Sequence, residues 1–86
     1  MTTTERVRNF ITTNFYIPDS TRLGDGTSLL DSGVIDSTGV LEVVAFLESA
    51  FQIQVEDADL VPENLDSIEK IRAYIKKRGG DAHEQE

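Results

Sequence analysis

The chain contains no cysteine and no tryptophan, and its single histidine, His83, lies in a polar C-terminal segment. Without cysteine, neither a disulfide nor a thiolate metal site can reinforce the fold. A lone histidine outside any apolar pattern removes the usual general base and the usual zinc ligand together, so no metal site is expected. Cations are scarce as well: eight Lys and Arg stand against sixteen Asp and Glu, a formal net charge of -8. A phosphate backbone must be neutralised by Lys and Arg, which makes nucleic acid a poor partner for this surface. Partners with basic patches are favoured, through an attraction that weakens as salt rises. Long apolar runs are missing, none approaching the ~20 residues of a membrane span. The opening Met1-Thr2-Thr3-Thr4-Glu5 lacks the basic and apolar regions of a signal peptide. These absences lead us to expect a soluble cytoplasmic monomer. Eighty-six residues make one small domain. A domain of this size buries only roughly 60–70% of its unfolded surface, so a deep pocket with several converging catalytic groups is not expected.

What is present is helical periodicity interrupted by one long loop. Thr2 or Thr3 can cap a first helix, Thr2 having capping-box spacing with Glu5, and Val7, Phe10, Ile11 and Asn14 then share a helical face that Thr3 extends. Pro18 disfavours helical geometry at Ile17, so this helix should end near Phe15 or Tyr16. From Pro18 to Asp36 the chain is punctuated by Asp19, Ser20, Gly24, Asp25, Gly26 and Thr27 and reads as loop, with Leu29-Leu30 as a short turn pinning it to the core. A connection of this length is more often functional than decorative. Val40, Val43, Val44, Leu47, Ala50 and Phe51 then form a stripe at the helical period, with Thr38, Leu41, Glu42, Ala45 and Ser49 on the opposite half. Leu41, beside Ala45 and flanked by Glu42 and Glu48, is either a solitary exposed leucine or the apolar centre of a docking face with an acidic rim. Glu56 to Val61 supplies one or two helical turns before Pro62, expected to be the most mobile ordered segment. Asp66, with Glu69 at the box position, should cap a last helix whose apolar face is Ile68, Ile71, Tyr74 and Ile75. Lys76, Lys77 and Arg78 suit its C-terminal dipole, and Gly79-Gly80 stops it. The pattern predicts an all-α domain over residues 1–78, a small four-helix bundle of three main helices and one short one with a long first loop. A disordered polar tail over 79–86 follows.

The dipeptide Asp-Ser occurs four times, at Asp19-Ser20, Asp31-Ser32, Asp36-Ser37 and Asp66-Ser67, and alone it signals only a turn or a helix cap. Context separates the four. The first two lie inside the loop, and the last is explained by its capping box. Asp36-Ser37 joins a Gly-bearing loop to the central apolar helix. A phosphodiester on Ser37 would meet the unpaired first-turn amides and the positive end of the helix dipole. Gly33 gives the loop backbone freedom there, and Val34 and Ile35 can anchor it on either side. Asp36 would repel such a phosphate unless a cation or distance intervened. Ser37 has no neighbouring His or Lys to activate it, so modification by another enzyme fits better than self-activation.

The run Leu30-Asp31-Ser32-Gly33-Val34-Ile35-Asp36-Ser37, followed by Val40-Leu41-Glu42-Val43-Val44-Ala45-Phe46-Leu47-Glu48, resembles the acyl and peptidyl carrier proteins. Phe51-Gln52-Ile53-Gln54-Val55 and Pro62-Glu63-Asn64-Leu65-Asp66-Ser67-Ile68 are similar to that family's downstream pattern, and the resemblance runs to about Arg78. It implies that Ser37, in a motif with Asp36, is the serine to which a phosphopantetheinyl transferase attaches 4′-phosphopantetheine from coenzyme A. The arm's thiol would carry acyl or aminoacyl groups as thioesters, and the chain itself would not be an enzyme. Loading ligases and downstream synthases or transferases with basic docking patches would be its partners. By the same resemblance the helix from Ser37 is the recognition helix, with Thr38, Leu41, Glu42, Ala45, Glu48 and Ser49 as its docking surface. Two residues depart from the family. Thr38 stands where Leu is common, and Gly39 follows, expected to loosen the first turn at up to about 1 kcal/mol relative to Ala. Glu42 and Glu48 are the only acids on this helix after Ser37, unlike the acidic run of a standard fatty-acid synthesis carrier.

Two other classes of function compete. One is an unmodified small acidic helical adaptor that binds a partner through the 37–51 face. The other is a minimal enzyme using Asp31 and Asp36, which lacks an accompanying base, metal cluster or pocket. Fatty-acid, polyketide and nonribosomal peptide cargo are all compatible with the sequence. A pouch behind the recognition helix, lined by Val43, Leu47, Ala58 and Leu60, would shelter a short chain. The initial Met and the polar tail favour a discrete protein over an excised module.

Overall fold

The structure is a computed structural model that describes residues 2–17 and 22–80. Helix α1, Thr3–Asn14, starts where the capping box closes: Glu5 N–H donates to Thr2 Oγ1 (3.1 Å) and Thr2 N–H donates to Glu5 Oε1 (3.2 Å). It stops at Phe15, whose backbone is extended. Helix α2, Ser37–Phe51, ends at Gln52 in left-handed geometry with φ 55 and ψ 44. An extended stretch leads into a single 3-10 turn at Asp57–Asp59, then α3, Pro62–Leu65, and α4, Ile68–Lys77. The described residues are therefore all-helical, with α1, α2 and α4 as the main helices and α3 as the short one.

The second half departs from expectation in two places. The turn expected before Pro62 is present as the 3-10 turn Asp57–Asp59, and a further short helix, α3, which was not expected, begins at Pro62, because a proline lacks an N–H and has a fixed φ that suit the first helical position. The cap of α4 is Ser67, whose Oγ accepts Lys70 N–H at 3.1 Å, not Asp66. Asp66 is engaged elsewhere. At the other end of α4, Gly79 N–H donates to Lys76 C=O (3.0 Å) and Gly80 N–H to Ile75 C=O (2.8 Å), the paired bonds of a helix-ending turn. Gly80 sits against Ile53, Ile75 and Phe51. The packed chain thus runs two residues past Arg78, and the remainder of the expected tail, 81–86, lies outside the described residues.

The core joins Val7 and Ile11 of α1, Val43, Leu47 and Phe51 of α2, and Ile68, Ile71 and Ile75 of α4, with Leu29, Val34 and Ile35 contributed by the loop. Phe46, outside the expected stripe, is half-buried and stacks on Phe10 with centroids 4.1 Å apart, while it meets Phe51 edge-on at 5.8 Å. Aromatic pairs of these geometries add to plain area burial in tying α2 to α1. Thr3 is fully buried, and its Oγ1 has no hydrogen-bond partner. Burying an unpaired hydroxyl is costly. Thr3→Val, which keeps the shape and removes that hydroxyl, is expected to raise stability by about 1 kcal/mol in a denaturant melt.

Tyr74 of α4 is 2% exposed, and its hydroxyl donates to Asp59 Oδ2 at 2.8 Å. Asn64 Nδ2 donates to the Asp59 carbonyl at 3.0 Å, so Asp59 fixes the 3-10 turn to both α3 and α4. Burial first, and then the bond to Asp59, raise the Tyr74 phenol above its ordinary 10.0. The folded state holds that proton more tightly than the unfolded chain. Its contribution to stability is therefore complete below pH 10.0 and is lost as pH rises through the raised value. Tyr74→Phe is expected to remove this alkaline loss from a pH series of thermal melts. It should also cost about 1 kcal/mol at neutral pH, because Asp59 loses its donor.

Candidate functional site

The site is assembled on a loop that other elements hold in place. At its start, the Arg8 guanidinium of α1 donates to the Leu23 carbonyl and pairs with the Asp25 carboxylate. Glu69 N–H, in the first turn of α4, donates to Asp25 C=O at 2.8 Å. Further along, Asp66 accepts Ser28 Oγ–H at 2.7 Å and Leu30 N–H at 2.9 Å through its carboxylate, and Leu29 N–H at 2.7 Å through its carbonyl. Leu29 is fully buried, so the Leu29-Leu30 turn does pin the loop to the core. Gly33 closes this turn at φ 78, a left-handed conformation that a side chain would strain. Val34 and Ile35 are both buried behind it, and Ile35 N–H donates to Leu29 C=O at 3.1 Å.

Asp36 then caps α2, its Oδ1 accepting Gly39 N–H at 2.7 Å. Asp36 is thus the helix cap, with one carboxylate oxygen turned onto the helix amide. Ser37, the first residue of α2, is exposed. Gly39 is buried, and a Cβ there would lie 2.9 Å from Phe15 Cε1, 3.2 Å from Ile35 Cγ2 and 3.4 Å from Asp36 Oδ1. Gly39 was expected to loosen the first turn, and the structure adds a packing role to that expectation. The glycine is the seat on which the cap, the loop and α1 converge.

Thr38, Leu41, Glu42, Ala45, Glu48 and Ser49 are all exposed on the outward side of α2, with Leu41 at 60%. Glu48 also works inside the chain, its Oε2 accepting Val55 N–H at 3.0 Å. Asp31, on the loop surface, is exposed. Beside Ser37 opens a cleft of about 270 Å³. One wall is Leu29, Leu30 and Ile35 of the loop; α2 supplies Ser37, Val40 and Leu41; Leu60, Val61, Pro62 and Leu65 face them. Every lining residue except Ser37 is apolar. Of the four residues expected to line a pouch, only Leu60 does so. Val43 and Leu47 are buried in the core, and Ala58 is exposed on the 3-10 turn.

Asp66 and Ser28 are the residues that the sequence pattern missed. A signal was available. Only one residue of Asp66-Ser67 can cap α4, which leaves the other free for a different partner.

Together these features define a small helical bundle that presents an exposed serine at a helix N-terminus, next to an apolar cleft and beneath a partly apolar helix face. No family model matches the chain. Among curated proteins it is similar to the D-alanyl carrier protein of Abiotrophia defectiva, with 31% identity over 51 residues, 59% of this chain and 65% of the relative. It is also similar to the D-alanyl carrier protein of Streptococcus uberis (strain ATCC BAA-854 / 0140J), with 35% identity over 49 residues, 57% of this chain and 62% of the relative. The matches span a little under two thirds of the length of these relatives. With the all-helical fold, this similarity supports the resemblance of the chain to the acyl and peptidyl carrier proteins. No helix among the described residues is long and apolar enough to cross a membrane.

Proposed function

We propose that this protein is a carrier whose Ser37 bears a 4′-phosphopantetheine arm, and that it presents groups on the arm to partner enzymes in the cytoplasm without catalysing their chemistry. The observation that carries this reading is the setting of Ser37: exposed, first in α2, and the one polar residue lining an apolar cleft. The surroundings fit the arm. A phosphodiester on Ser37 lies where the helix dipole favours negative charge. Asp36 Oδ1 is occupied by the Gly39 N–H, and the cleft offers apolar cover to whatever folds back from the serine. When bound, the arm supplies a thiol on which acyl or aminoacyl groups ride as thioesters. The relatives' names favour an aminoacyl cargo.

Thr38, Leu41, Glu42, Ala45, Glu48 and Ser49 form the docking face in this reading, for a phosphopantetheinyl transferase, a loading ligase and later transferases. An apolar centre with acids at its edge is suited to basic patches on such partners. Incubation with a promiscuous phosphopantetheinyl transferase and coenzyme A is expected to raise the intact mass by one arm. A chain that stays unmodified beside a modified control carrier would overturn the proposal and leave the unmodified adaptor in its place.

A further inference from the structure

Hydrogen bonds, joined by short backbone steps, lead from the threshold of α4 to the start of α2. The Asp66 carboxylate holds Ser28 Oγ–H (2.7 Å) and Leu30 N–H (2.9 Å), groups 38 and 36 positions away in the chain. Ser28 Oγ in turn accepts Asp31 N–H at 3.1 Å, and Ile35 N–H closes the turn onto Leu29 C=O at 3.1 Å. Asp36 follows directly and caps α2 through Gly39 N–H, and Ser37 is the next residue. The Asp66 side chain has no duty to its own helix, because Ser67 provides the cap there. Asp66 and Ser28 are both half-buried, where hydrogen bonds orient more firmly than in open water. The same contacts place Leu29 and Leu30, two residues of the cleft wall.

We propose that Asp66 is a positioning residue for Ser37. Its carboxylate acts through Ser28 and Leu30 to set the loop that carries Ser37, and so the orientation in which the serine hydroxyl is offered to the modifying enzyme. This rests on the carrier reading of Ser37 and extends it to a residue on the far side of the loop. A clasp that served stability alone would change melting temperature and leave the chemical step at Ser37 untouched. A positioning role predicts a loss in kcat for arm transfer, since modest misplacement of a reacting group is costly to rate.

The test compares wild type, Asp66→Ala, Asp66→Asn, Ser28→Ala and the core control Ile11→Val. Each is modified by a phosphopantetheinyl transferase with coenzyme A and followed by intact mass alongside thermal melts. Asp66→Ala and Ser28→Ala are expected to lower kcat by roughly tenfold or more with little change in KM. Asp66→Asn, which keeps one acceptor oxygen, should fall between them and wild type. Ile11→Val should keep the wild-type kcat despite its lower melting temperature. Ser28→Ala breaks the same clasp from the loop side and decides the matter if Asp66→Ala does not fold. Wild-type kcat in the clasp variants, or a kcat that follows melting temperature across all five proteins, overturns the inference while leaving the carrier reading intact. Wild type that accepts no arm overturns both.

Discussion

Ser37→Ala is expected to abolish arm addition completely, while its stability stays within about 0.5 kcal/mol of wild type. The two halves of that expectation come from different atoms. Loss of modification follows because a phosphodiester needs the hydroxyl oxygen, and no other serine among the described residues is both exposed and first in a helix. Ser32 and Ser67 donate or accept within the loop and the α4 cap, and Ser28 is committed to Asp66. Preservation of the fold follows because Asp36, not Ser37, caps α2, so the helix keeps its N-terminal bond to Gly39. Alanine is also a better helix former than serine. Intact mass after transferase treatment and a thermal melt of the same sample check both halves. Arm addition to the alanine variant would move the attachment site elsewhere in the chain. A large fall in stability would mean that Ser37 has a structural role that its exposure conceals.

Gly39→Val is the second large effect, and its sign opposes helix propensity. On propensity alone, replacing glycine within a helix should be neutral or favourable. At this position the first added carbon already approaches Phe15 Cε1 to 2.9 Å and Ile35 Cγ2 to 3.2 Å. The branched methyls of valine then enter space occupied by α1's end, the loop and the Asp36 cap. Overpacking of this kind costs about 1–3 kcal/mol. In a domain of this size each 1 kcal/mol shifts melting by about 4–8 °C, so we expect Gly39→Val to melt about 10 °C below wild type. Because Phe15 is half-buried and its ring edge can move, Gly39→Ala should lose less. Higher stability for both variants would show that the close approach relaxes freely.

The Gly39 case also marks where the sequence becomes silent. Local spacing was enough for the Thr2–Glu5 capping box, for the end of α1 at Phe15 and for the exposed side of α2, since each depends on residues within a turn or two. Gly39 depends on Phe15, which lies on another helix's end, and no periodicity reveals that approach. The pouch failed for a related reason. A helical wheel reports that Val43 and Leu47 face inward but not whether inward means packed core or open cleft. The cleft's true walls come from Leu29, Leu30 and Leu65, brought together by the loop and α3. Asp66 was read as a cap because its neighbours along the chain satisfy that pattern, whereas its actual partners lie 36 and 38 positions away.

The bond from Val55 N–H to Glu48 separates how a partner would arrive from how it would hold on. With Glu48 folded toward its own chain, the outward side of α2 keeps Glu42 as its free-standing acid beside leucine, alanine and hydroxyl surface. The attraction felt at a distance is that of the whole molecule, with its net charge of -8. Added salt then slows encounter, by screening a field spread over the entire surface, and leaves residence time nearly unchanged. On the carrier reading proposed above, salt is expected to slow the encounter with partner enzymes more than it speeds their departure, which association kinetics at two ionic strengths would check.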